Sequence, residues 1–245
     1  MYILETKLKS MRIFISALII FATFSLSAQP PLGAWQANTQ DANYGELTVI
    51  SIVSSGYQAI TWFKAADGDF IRTLGGAWNL NGTHWSLSLE FDSEQPEQVG
   101  ETLHFELVES ANGYTVSGMN LEFRKIDSNA PGVLAGAWLM SARKRGDLLE
   151  PRSTDQPRKT MKILSGTRFQ WIAYNTETGQ FMGTGGGRYT TENGTYTEHI
   201  EFFSRDKSRV GAALAFNYEL KDEDWHHSGL SSRGEPIYEV WSLRK

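Results

Sequence analysis

Apolar residues recur at every second position through most of the chain after residue 30. Trp85, Leu87, Leu89 and Phe91 alternate with Ser86, Ser88 and Glu90, and Leu103, Phe105 and Leu107 alternate with His104 and Glu106. Tyr196, Glu198, Ile200 and Phe202 alternate in the same way with Thr197, His199 and Glu201. A period of two gives a β-strand one buried and one wet face. No stretch beyond residue 30 carries the period of an amphipathic helix. Ala66-Asp67-Gly68, Asn81-Gly82, Asn112-Gly113, Thr178-Gly179 and Asn193-Gly194 supply tight-turn chemistry between the strands. The pattern predicts an antiparallel meander, and closing a meander of about eight strands into a barrel removes its exposed edges. The glycine pairs at 75–76 and 186–187 suit strands that bend at barrel corners.

The pattern occurs twice. Residues 56–118 align without a gap on residues 167–229 at an offset of 111, with 14 identities in 63 positions. Chance pairing would give about four. Each copy opens on Gly-Ala-Trp, at Gly33-Ala34-Trp35 and Gly136-Ala137-Trp138, and each closes on Phe123-Arg124-Lys125 or Leu243-Arg244-Lys245. The expected organisation is a signal peptide over 1–28, barrels over 32–126 and 134–245, and a short turn-rich linker over 127–133 that keeps the barrels close. Phe63 and its counterpart Tyr174 face outward, which marks them for an interface between the barrels.

Lys7, Lys9 and Arg12 precede an apolar run from Ile13 to Phe24 and then small residues ending in Ala28. That is the pattern of a secretory signal peptide starting at Met1 or Met11, too short for a membrane span. The mature chain is expected to be secreted or periplasmic, with no stable membrane insertion. Its removal takes the formal charge from −5 to −7, which argues against nucleic-acid binding. The chain has no Cys, so apolar cores alone must hold it together.

Gly33, Trp35 and Arg124, with Gly136, Trp138 and Arg244, resemble the Gly-x-Trp and terminal Arg of the lipocalin or calycin superfamily. That resemblance implies a Trp closing each barrel base with the Arg stacked across it. Residues 134–245 also resemble secreted bacterial lipocalin-like domains of unknown function, through Phe169-Gln170-Trp171-Ile172, Gly186-Gly187-Arg188-Tyr189-Thr190, Tyr196-Thr197-Glu198, His227-Ser228-Gly229 and Glu239-Val240-Trp241. The Thr-Asp-Tyr motif of vertebrate lipocalins is absent.

The copies disagree in chemistry on the inward face. In the first, Ile60, Trp62, Trp78, Trp85, Leu87, Leu89, Tyr114, Val116, Met119 and Leu121 point inward. In the second, Leu87 becomes Glu198, Val116 becomes His227 and Met119 becomes Glu239. Buried carboxylates are costly unless paired or hydrogen-bonded. The expectation is a pocket for a hydrophobic or aromatic small molecule in the second barrel, with Trp171, Trp225 and Trp241 as walls. Tyr189, Tyr196, Glu198, His227 and Glu239 would make the polar contacts. An internal polar network without a ligand is the alternative. A lumenal acid–base enzyme of isomerase or dehydratase type, and a structural or protein-interaction module, are the rival functions. No nucleophile motif, catalytic set, cofactor or metal centre is indicated, since His226 and His227 as strand neighbours face opposite ways. The run Gly183-Thr184-Gly185-Gly186-Gly187 lacks the lysine of a phosphate loop and reads as a bend. The basic insert from Arg143 to Lys162 is expected as a loop beside the barrel mouth, either a lid that attracts anions or simply solvated. The first barrel is either filled by Trp62, Trp78 and Trp85 or hollow. The sequence leaves the oligomeric state open.

Overall fold

A computed structural model describes residues 31–110, 112–119, 121–127, 132–231 and 233–244. The segment read as a signal peptide lies outside them. Strands β1 (Gly33–Asp41), β2 (Gly45–Ser54), β3 (Tyr57–Lys64), β4 (Phe70–Asn81), β5 (His84–Asp92), β6 (Thr102–Ser110), β7 (Gly113–Val116) and β8 (Leu121–Lys125) form a closed antiparallel barrel. The second half contains β9 (Gly136–Arg145), β10 (Leu148–Pro151), β11 (Arg158–Leu164), β12 (Arg168–Asn175), β13 (Phe181–Glu192), β14 (Thr195–Phe203), β15 (Ala213–Lys221), β16 (Asp224–Leu230) and β17 (Pro236–Leu243). β9 and β11–β17 close an equivalent barrel through pairing of β17 with β9, while β10 pairs with β9 alone. The insert therefore folds back as a hairpin arm, and its C-terminal part is strand β11. Among the described residues no helix is long and apolar enough to cross a membrane.

The glycine pairs lie at register shifts, Gly75/Gly76 between β4 and β5 and Gly186/Gly187 between β13 and β14. A Cβ on Gly76 would sit 1.9 Å from the Ser88 carbonyl oxygen, so only glycine lets the strands approach there. Asn193 and Gly194 both have positive φ (50° and 78°), as a type I′ hairpin requires. At Asn81-Gly82 the turn is centred one residue later, because Asn81 still pairs with His84.

The first barrel is filled. Trp35, Trp85, Leu87, Tyr114 and Phe123 are buried in its lumen with Trp62 and Trp78 packed against them. The enclosed space left is about 20 Å³, room for a single water.

A separate apolar core joins the barrels. Ile50, Ile52, Ala59, Phe63 and Phe91 from the first pack on Met161, Ile163, Ile172, Tyr174 and Phe202 from the second, all buried. The contacts are reciprocal at the repeat offset. Phe63 stacks on Phe202 with centroids 5.1 Å apart, and their counterparts Tyr174 and Phe91 meet at 5.0 Å. Phe70 stacks on its own counterpart Phe181 at 6.0 Å. Buried hydrogen bonds cross the same seam: Thr61 donates to the Gln170 side-chain oxygen, and the Gln170 side-chain nitrogen donates to Thr73, both at 3.0 Å. Fully burying one such apolar side chain stabilises by about 1.5–3 kcal/mol, so this seam is core. Asp127, placed by the sequence in the linker, accepts hydrogen bonds from the Ala34 and Thr167 amides, 3.0 and 2.9 Å, and fastens the two barrel bases.

The expected arginine stacking is corrected. Trp35 and Trp138 do cap their barrel bases, with each indole N–H donating to a carbonyl four residues earlier, Pro31 at 2.7 Å and Leu134 at 2.9 Å. Arg124, however, points into solvent beside Glu122, and Lys125 lies over Trp35 instead. Arg244 turns out of its barrel altogether. Its guanidinium binds both oxygens of Glu90 at 2.8 and 2.9 Å and covers Tyr57 at 3.8 Å. The interface competes for this side chain with a planar carboxylate that Trp138 lacks. Burial pushes Glu90 up, but Arg244 more than offsets that and holds its carboxyl below the ordinary range.

Candidate functional site

The alternation that builds β14, β16 and β17 sets the chemistry of the second lumen. Tyr196, Glu198 and Ile200 face inward from β14, Trp225 and His227 from β16, Glu239 and Trp241 from β17. Cross-strand register puts Glu198 opposite Tyr189, His227 opposite Glu239, and Trp225 opposite Trp241. Glu198 and His227 are 5% and 2% exposed. The three apolar-to-ionisable changes thus all lie in the lumen.

The partner of Glu198 is a residue that the sequence reading assigned to the mouth loop. Lys162 sits on β11, is 4% exposed, and donates to Glu198 Oε1 at 2.9 Å. Its ammonium lies 4.9 Å from the Trp225 ring, 5.0 Å from Tyr196 and 5.2 Å from Trp241. A lysine survives there because one carboxylate and three aromatic faces replace its water. The offset of 111 makes its first-barrel equivalent Ser51, a buried hydroxyl. The signal for Lys162 is the repeat itself, since the same offset carried upstream of residue 167 gives it the inward parity of Ser51. Arg158 and Lys159 also belong to β11 and not to a loop.

His227 Nδ1 lies 3.4 Å from Glu239 Oε2. Burial and the Lys162 charge push His227 below its ordinary value of 6.5, so it is neutral at physiological pH. Burial raises Glu239, but His227, Lys162 and Trp241 outweigh it and keep the carboxyl ionised. The imidazole is packed against Phe216 at 4.2 Å.

Tyr189 does not join this group through its hydroxyl, which donates to the Ser165 carbonyl at 2.6 Å near the closed base. Its ring supports Tyr196 at 5.5 Å. Trp171 stands nearer the mouth, half-buried, with Phe203 at 5.5 Å and the Arg205 guanidinium at 5.6 Å.

Trp225 Nε1 and His227 Nε2 find no hydrogen-bond partner within the protein, while Tyr196 Oη, Trp241 Nε1 and His227 Nδ1 face the Glu198 and Glu239 carboxylates without well-formed hydrogen bonds. Leaving such a group unsatisfied costs about 1–3 kcal/mol, so a cluster of them in one lumen demands an explanation. Above them an open cleft of about 420 Å³ is lined by Glu198 and Glu239 at the floor, Trp171, Phe203 and Phe216 as walls, and Arg205 at the rim. A larger cleft of about 550 Å³ at the first barrel, lined by Trp35, Leu80, Leu107 and Tyr114 of its core, contains no unpartnered buried donor among the described residues. Among the described residues no three His, Asp or Glu side chains are placed to hold a metal.

Residues 133–242 match DUF4488, a domain of unknown function. The DUF4488 segment coincides with the second barrel and contains Lys162 with every lumenal residue named above. No curated protein matches the chain.

Proposed function

We propose that this protein binds a small molecule in the mouth and upper lumen of its second barrel. One observation carries the reading. Both barrels bear an open cleft, about 550 Å³ at the first and about 420 Å³ at the second, but the second's is lined by Glu198 and Glu239, which reach the buried Lys162 and His227 of its lumen. A cleft of that volume, with three aromatic walls among a majority of charged and polar side chains, has room for a small ligand that carries polar groups. Gly-x-Trp at the start of each barrel supports a lipocalin-like reading, and the basic, then apolar N-terminus supports export.

Native mass spectrometry of the full chain purified from its own host is expected to retain a non-protein mass of one molecule per chain. The neutral aromatic probe N-phenyl-1-naphthylamine is expected to bind once per chain. Trp171→Ala should weaken that binding, while Ile60→Ala, at the equivalent first-barrel position, should leave it unchanged. A chain free of any adduct that also ignores the probe would overturn the reading.

The neutral His227 beside ionised Glu239 favours a second reading, in which His227 Nε2 takes a proton from a bound molecule and Glu239 stabilises the imidazolium. Turnover abolished by His227→Gln with ligand affinity retained is its mark.

A further inference from the structure

The two copies handle the arginine at the mouth in opposite ways. In the first barrel Arg72 covers Trp62 at 4.7 Å and is neutralised by Glu94 and Asp92. The same positions in the second barrel are Gly183, Ala173, Arg205 and Phe203, and the tryptophan stands two residues earlier, at Trp171 in place of Ile60. The cation has moved to the other strand, and both acids have gone. Gly183 makes the room, since a Cβ there would lie 2.4 Å from Arg205 Nε. Arg205 now covers Trp171 and donates to the Met182 carbonyl at 2.8 Å, with no acidic partner among the described residues.

Cations without acids also occupy the β9–β11 side of the mouth. Arg152 reaches from the hairpin arm toward the lumenal Met140, its Nη1 4.0 Å from the sulfur, and donates to the Arg158 carbonyl at 3.2 Å. Arg143 stands opposite Glu239 in the register at the end of β9. None of Arg143, Arg152 and Arg158 forms an ion pair among the described residues. Burial foremost, then the charges of Arg158 and Arg143, push Arg152 below the ordinary arginine value. Three carboxylates also line the cleft, but Asp206 is paired with Arg209, Glu198 with Lys162, and Glu239 lies beside His227, so the guanidinium groups of Arg205, Arg143, Arg152 and Arg158 stay free for an anion at the mouth.

Resting on the binding reading above, we propose that the ligand is an organic anion, a flat apolar body with one acidic group held at the rim by Arg205 and the Arg143–Arg152–Arg158 cluster. The floor sets its orientation. Glu198 is neutralised by Lys162, but Glu239 stays ionised and repels a second carboxylate. The apolar end therefore enters and the acid stays outside.

Two probes sharing one body separate the possibilities on the full chain. 1-Anilinonaphthalene-8-sulfonate carries an acid that N-phenyl-1-naphthylamine lacks. The sulfonate is expected to bind about tenfold more tightly, the worth of one charge-assisted hydrogen bond. Added salt should weaken only the sulfonate. Arg205→Gln and Arg158→Gln should each lower its affinity several-fold with the neutral probe unchanged, which also shows that the variants fold. Displacement by 1-naphthoate or by 1-naphthyl phosphate supports the inference and tells carboxylate from phosphate. Failure of both to displace overturns it. Equal affinity for the two probes overturns the anion preference and leaves a binding site intact. Binding of neither probe overturns both the preference and the site. Arginine variants that weaken both probes alike overturn the role assigned to those arginines.

Discussion

Replacing Glu198 by Leu, the residue at the equivalent place in the first barrel, should destabilise the protein although it makes the lumen more apolar. The ion pair with Lys162 spans 2.9 Å, and its side chains are 5% and 6% exposed. At an effective dielectric near 20 the attraction is about 6 kcal/mol. Most of that offsets the desolvation of two ions, so the intact pair contributes little net stability. Removing one member is different, because the other charge stays buried, at a cost of about 3–5 kcal/mol. The three rings within 5.2 Å of the ammonium retain some attraction, which places Glu198→Leu near the lower end, at about 3 kcal/mol. Adding Lys162→Met removes the stranded charge and should return stability to within about 1 kcal/mol of the parent, or above it. Urea denaturation of the parent, both single variants and the double variant completes the cycle, with a coupling of about 5 kcal/mol or more expected. A Glu198→Leu chain as stable as the parent, or strictly additive singles, would refute the reasoning.

Two further outcomes follow from the geometry. Arg244→Ala leaves Glu90 at the inter-barrel seam with the Tyr174 hydroxyl but no counter-charge, and should cost about 2–3 kcal/mol after discounting the partial exposure of the pair. The denaturation midpoint should report it, with Arg124→Ala, at a solvent-exposed site, as the silent control. Acidification should destabilise in two stages. His227 has a lowered folded value, so the unfolded chain takes up its proton first and stability falls as pH drops below about 6.5. Glu90 and Glu239 are also lowered, so their contribution, present above about 4.5, is lost as pH falls further. Urea midpoints between neutral pH and about pH 4 test this, with His227→Gln expected to remove the first stage. A midpoint rising on acidification contradicts the assignment.

The barrels were readable because period-two alternation and turn glycines act locally, and the duplication let each half confirm the other. The inward positions of Glu198, His227 and Glu239 followed from that parity. What escaped the sequence is non-local. Lys162 sits 36 residues before Glu198, inside a basic run whose other members face solvent, and charge alone does not tell a lumenal lysine from a rim arginine. Arg244 finds Glu90 across 154 residues and between barrels, a pairing no strand period encodes. Tyr189 has the right parity but the wrong height, its hydroxyl already bound at the base.

The reciprocal rings of the seam have a consequence for assembly. Phe63 on Phe202 repeats as Tyr174 on Phe91, and Phe70 meets its own equivalent. That is the contact pattern of an isologous homodimer, with a pseudo-dyad passing near Phe70 and Phe181. Tethering the two protomers replaces a bimolecular encounter by an effective concentration on the order of millimolar, so dilution does not part them. Covalent linkage also frees each half to change alone. A true dimer would have planted Lys162 and Glu198 in both lumens, whereas the tandem keeps one barrel solid as a buttress and lets the other carry the chemistry.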